Sequence, residues 1–180
     1  MSSSRTDRDL PFLTGAVAGA GAWVLNYLFV YVITSGDIRN SVLGQFTEIP
    51  TWKIVGWVFY NAHYVDTVYD VPLFGGAGNA IGGEDGFTVL LFVVVPVVLL
   101  VAGLAVGRYA GADHLDATNA ALAGAALVPG YALLSVVGVF AFASERVTPD
   151  VVTGVLLAGL LYPLVFGALG ALAARATAGR

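Results

Sequence analysis

Phe87-Thr-Val-Leu-Leu-Phe-Val-Val-Val-Pro96-Val-Val-Leu-Leu-Val-Ala-Gly-Leu-Ala-Val-Gly107 is the stretch whose reading decides the fold. It carries no charge, and Val, Leu or Phe fill most of its positions. Valine on its own suits a strand. In hydrocarbon, however, a lone strand leaves its backbone N–H and C=O groups unpaired, whereas a helix bonds all of its own. The stretch therefore reads as a membrane-spanning helix, closed by the cation and interfacial ring of Arg108-Tyr109.

Three more runs share this character. The expected spans cover about 10–35, 87–107, 117–143 and 150–174. In the first, Arg5 and Arg8 precede an apolar run of about 25 residues, well beyond the roughly 7–15 of a signal-peptide core, so it reads as a retained helix. Gly15, Gly19 and Ala22 form a small-residue stripe at spacing three and four, which lets another helix backbone approach. Gly154 begins a similar series in the last span. Asp116 is the expected N-cap of the third span, and Thr148-Pro149-Asp150 reads as the start of the fourth. Pro96, Pro129 and Pro163 lie centrally in the three later spans.

Composition agrees. The 180 residues are 58% hydrophobic and 11% charged, against about 25% charged in soluble domains. A net charge of −4 speaks against nucleic-acid binding. The absence of cysteine excludes disulfides, thiolate catalysis and Cys-ligated metals. Placing the termini inside puts Arg5, Arg8, Arg108, Arg175 and Arg180 there, with Arg39, Lys53 and Arg146 outside. That distribution agrees with the positive-inside rule.

Between the first two spans lies Thr51-Trp-Lys-Ile-Val-Gly-Trp-Val-Phe-Tyr60-Asn-Ala-His-Tyr-Val-Asp-Thr-Val-Tyr69. Trp52, Trp57, Tyr60 and Tyr64 suit a headgroup-level belt, since such rings are apolar at one end and polar at the other. One reading is an outer interfacial helix over the ends of the spans. The others are a fifth spanning or re-entrant segment, and a folded soluble hairpin. The glycine-rich run 74–86 lacks the register of a phosphate loop and reads as a connector. The fold class is thus all-α: one integral membrane domain over 1–180, with four spanning helices and an outer interfacial or re-entrant aromatic helix in 36–86.

Chemistry is sparse. On a helix, His63, Asp66 and Asp70 share a face and could approach a divalent ion, but two ligands on adjacent turns do not complete a site, so no metal is expected. Asp113, His114 and Asp116 are weaker still. No His-Glu-x-x-His motif is present. No cofactor and no catalytic residue is expected. None of the spans contains an ionisable side chain of the kind that coupled pumps carry at depth. Asn26, Tyr131, Ser135 and Tyr162 are the polar groups that would either line a path for a small neutral solute or meet at an interhelix contact.

An N-terminal span, a long aromatic outer loop and three Gly/Pro-rich spans in a Lys-poor, Cys-free, acidic chain resemble the small haloarchaeal multi-pass membrane proteins of unknown function, some labelled transporters. The resemblance implies no site residues. The expected function is a non-enzymatic packing or complex-forming membrane subunit, with the lipid bilayer as solvent and a second copy or another membrane subunit as partner. Passive transport of a neutral solute is the first alternative. A membrane enzyme with an outer His/Asp site is the second.

Overall fold

The structure is a computed structural model that describes residues 12–41, 48–70, 75–84 and 86–177. Helix α1 is Phe12–Asn40 and the short α2 is Thr51–Asn61. Strands β1, Thr67–Tyr69, and β2, Gly76–Gly78, precede helix α3, Leu91–Tyr109. A 3-10 turn at Ala112–His114 leads into α4, Ala117–Ala125, and α5, Val128–Phe142. Strand β3, Val147–Pro149, precedes the last helix, α6, which runs over Val151–Thr177.

Four helices are long and apolar enough to cross a membrane: α1, α3, α4 with α5, and α6. Their surface is inverted relative to a soluble protein. Val32 is 78% exposed and Leu133 64%, while Asn26 and Ser135 are fully buried. Apolar side chains face outward because lipid is as apolar as they are, and polar ones turn inward to find partners.

Each helix shows why it takes its course. Helix α1 outruns its expected end because Gly36 does not break it. It stops where the Ser41 N–H and hydroxyl both turn back to the Ile38 carbonyl. Helix α3 starts four residues later than expected, because Phe87 is held in a bridge with Ile81. The third span is broken between α4 and α5. Pro129 has no N–H to offer there, and the Leu127 N–H falls back to the Gly124 carbonyl. Within α6, Gly154–Leu161 is wound as a π-helix, with the Tyr162 N–H reaching the Leu157 carbonyl. Pro163 follows directly, and its ring would crowd the carbonyl four residues earlier in a normal α turn.

Small residues let these helices touch. A Cβ on Gly15 would overlap Ala126, and one on Gly19 the Leu127 carbonyl, so α1 lies against the corner between α4 and α5. Gly130 presses on Ala16 and Ala20 from the other side of the same contact. A second seam joins α3, α4 and α6, where Gly103 and Gly124 both face Gly167. Gly154 faces Val139 and Tyr60. Gly15, Gly19 and Gly154 therefore pack inside the chain.

The region expected as loop holds more structure than that. The order β2-β1-β3 makes a small antiparallel sheet, with Thr67 opposite both Gly78 and Pro149. This sheet also corrects the expected start of the fourth span. Thr148 and Pro149 are spent on β3, so the cap moves to Asp150, whose carboxylate accepts from the Thr153 N–H at 2.8 Å. Those Thr153 bonds hold the Asp150 carboxyl below its usual range. Asp116 caps α4 as expected, accepting from the Asn119 N–H at 2.8 Å.

Gly19→Leu should force α1 off the α4–α5 corner and cost about 1–3 kcal/mol, seen as a lower melting temperature in detergent. Gly21→Leu is the control, because Gly21 has nothing within 4 Å of an added Cβ. Equal melting of the two variants would remove the close-contact account.

Candidate functional site

Helix α2 decides where the polar groups go. At 11 residues, roughly 16 Å, it is too short to span. It is buried from Ile54 to Asn61, on all sides. The chain enters and leaves on the side of the α5–α6 turn: the Lys53 ammonium donates to the Ala143 carbonyl at 2.6 Å, and β1 pairs with β3. The helix is set into the bundle rather than laid over its end, and it is too short for a fifth span. The belt is corrected accordingly. Trp52 and Tyr64 are exposed, but Trp57 and Tyr60 are core residues.

What draws α2 in is the open end of α5. The last carbonyls of a helix have no partner within it. Here the Trp57 indole N–H donates to the Phe142 carbonyl at 2.8 Å, beside Lys53 on Ala143. A cation at a helix C-terminus also meets the negative end of the helix dipole. The bare Cα of Gly56 leaves room for the Phe142 ring. Phe142 in turn stacks on Trp23 and Tyr27 of α1. One turn deeper, the Tyr60 hydroxyl donates to the Ser135 carbonyl.

The end of α2 is a tight C-terminal cap. The Val65 N–H returns to the Tyr60 carbonyl and the Tyr64 N–H to the Asn61 carbonyl, the two bonds of a Schellman motif. The left-handed residue in such a cap is usually glycine; here it is Tyr64, at φ 58°. The Asn61 side chain pins the turn, donating to the Val65 carbonyl at 2.8 Å and the Thr67 hydroxyl at 3.1 Å. It also accepts the Ala80 N–H at 3.0 Å.

This cap aims His63 inward. His63 is fully buried, and both ring nitrogens are engaged. Nδ1 lies 2.8 Å from the Phe59 carbonyl, and Nε2 lies 2.7 Å from the Tyr131 hydroxyl. The Asn26 amide nitrogen donates to that same hydroxyl at 3.2 Å. Donor chemistry sets every role. A carbonyl only accepts, so Nδ1 carries the hydrogen; Nε2 must then accept from Tyr131, whose oxygen accepts from Asn26. Burial pushes the imidazole down to about 4, so it is neutral at pH 7.

The expected polar residues thus separate. Asn26 and Tyr131 join one hydrogen-bonded chain that also contains His63. Ser135 serves through its carbonyl, while its hydroxyl, the Asn26 Oδ1 and the Trp23 indole N–H are buried with no hydrogen-bond partner. Tyr162 reaches the cluster by its ring, 5.0 Å from that of His63. The metal candidates do not converge. His63 is buried with both nitrogens used, whereas Asp66 and Asp70 are exposed on the chain beyond the cap. No cluster of three metal-ligating side chains occurs among the described residues. The link from His63 to Tyr131 was not visible in the sequence, because 68 positions separate them. One signal was available: the few polar side chains of an apolar bundle must satisfy one another.

Tyr131→Phe would strand a donor on Asn26 and an acceptor on His63, and should cost about 2–3 kcal/mol of unfolding free energy. Tyr109→Phe, at a residue 72% exposed, should change stability by less than about 0.5 kcal/mol. Denaturant titration of the two variants checks the contrast.

Neither a curated protein nor a solved structure matches the chain. A family of unknown function, DUF7978, matches it over residues 1–178. The bundle with its buried Asn26–Tyr131–His63 chain therefore belongs to a member of DUF7978.

Proposed function

We propose that this chain is a non-enzymatic multi-pass protein of the cell membrane, with both termini inside, that serves as a packing or complex-forming subunit. One observation carries the reading. The polar side chains at the centre of the bundle are fully buried, and Asn26, Tyr131 and His63 are bonded to one another. Groups lining a solute path would open onto it, whereas these three bond one another, and the Asn26 Oδ1, the Ser135 hydroxyl and the Trp23 indole N–H, which lack a partner, are closed off from solvent. The same bonds speak against a metal-dependent enzyme at His63, since Nδ1–H is held by the Phe59 carbonyl and Nε2 by the Tyr131 hydroxyl. The lysine-poor, acidic, cysteine-free composition supports a haloarchaeal source. The partner in this reading is a second copy or another membrane subunit, set against the apolar side chains that the helices leave exposed, such as Val32 and Leu133.

Two measurements test the proposal. In proteoliposomes the protein should give no faster swelling in urea or glycerol than empty vesicles. Swelling that Asn26→Leu abolishes would establish the solute path instead. Extraction into mild detergent should give a mass above that of one chain, and a strictly monomeric mass would remove the subunit role. Orientation is checked on cysteine variants, since the chain has no native thiol. Ala77→Cys and Glu145→Cys should react with an impermeant thiol reagent on intact cells. His114→Cys and Ala176→Cys should react only after lysis.

A further inference from the structure

We propose that His63 is a proton-operated latch on α2: a proton taken up at Nε2 reverses the hydrogen-bond chain through Tyr131 to Asn26 and lets the end of α2 leave the bundle. The argument begins with the fixed roles. With Nδ1–H held by the Phe59 carbonyl, Nε2 is the one position where an incoming proton can bind. Once protonated, Nε2 becomes a donor, and the Tyr131 hydroxyl must turn its own hydrogen elsewhere. The receiving atom is already in place. Asn26 Oδ1 is buried without a partner, on the same amide whose nitrogen now donates to Tyr131. A half rotation of that amide presents the oxygen to the hydroxyl. The chain thus has two self-consistent directions, and the charge on His63 selects between them.

The charged state is poorly held in the closed fold. His63 is faced by the Phe59 carbonyl and ring from α2, Tyr131 from α5, Tyr162 from α6 and, through Tyr131, Asn26 from α1. No carboxylate among the described residues is bonded to it, and Asp66 lies exposed three residues on. Aromatic rings at 4.7 Å (Phe59) and 5.0 Å (Tyr162) offer only cation–π attraction. An imidazolium buried without a counter-ion favours a state in which water reaches it.

The cap beside it is poised to yield. Tyr64 occupies a left-handed conformation that a bulky side chain adopts only under constraint. His63 is the residue just before it, and the Tyr64 ring is kept in place by stacking on Phe92 at 4.3 Å. Releasing His63 lets Tyr64 relax. The sign follows from linkage. The imidazole titrates at its ordinary 6.5 when released and near 4 when buried, so the closed form is fully favoured above about 6.5 and loses that preference as pH falls towards 4.

Hydrogen exchange on the full chain in detergent, corrected for intrinsic rates, tests the latch. Amides of 54–63 should lose protection about tenfold or more between pH 7.5 and 4.5, while those of 95–106 stay protected. His63→Gln should abolish the pH dependence. Asn26→Asp should shrink the pH-dependent loss of protection in 54–63 severalfold, because a carboxylate can only accept from Tyr131 and so holds the protonated ring in the closed bundle. This second variant decides the matter if His63→Gln does not fold. The latch is overturned by an unchanged transition in His63→Gln, by no loss of protection in the native protein, by equal loss in 95–106, or by an undiminished loss in Asn26→Asp.

Discussion

A single hydroxyl carries the centre of this protein. Tyr131 accepts from Asn26 of α1 and donates to His63 at the end of α2, so one oxygen ties three segments together. In water such bonds would exchange with solvent and contribute little. Inside an apolar bundle the alternative is an unpaired polar group, which is far more costly. That asymmetry makes α2 a fixed part of the core rather than a loop. It also explains why α2 is so aromatic. Phe59, Tyr60 and Trp57 fill the space between α1 and α5 while their polar tips, where present, reach backbone carbonyls.

Packing and polarity divide the work. Towards the Arg108 end, glycine and alanine bring α1, α3, α4 and α6 into backbone contact, with Gly124 and Gly103 both on Gly167. The Arg175 guanidinium donates to the Leu115 carbonyl and closes that end. Towards the sheet, the helices part enough to admit α2, and rings replace glycines. The two halves depend on different terms. Dispersion between close backbones holds the first. Hydrogen bonds to otherwise stranded carbonyls hold the second.

The four long helices were legible because hydropathy over some twenty residues has few readings. Their ends were less so. The helix ran through Gly36 to Asn40, since one glycine in lipid-facing helix costs only about 1 kcal/mol. The sheet left little trace in the pattern: Gly-Ala-Gly lacks strand propensity, Val-Thr-Pro is cut short by its proline, and they pair only because β1 lies between them. The helix at Thr51 was visible, but its end was not. Without a glycine at position 64, nothing local marked the cap that Asn61 imposes through Val65, Thr67 and Ala80. Asn26 and Tyr131 were recognisable as groups needing partners. That the partner was His63 depended on that same cap, a tertiary fact.

The placement of β1 at the middle of its sheet sets an order of events during synthesis. β1 and α2 emerge early, yet β3, the Phe142 and Ala143 carbonyls and the Tyr131 hydroxyl all belong to the last hairpin of the chain. Until that hairpin is in place, Lys53 and His63 lack the partners that hold them inside the bundle. The α2 segment is therefore the last piece to seat, although it is translated second. A chain stalled before Tyr131 would display its aromatic segment without any of these partners, a surface open to chaperones or to a neighbouring subunit during biogenesis.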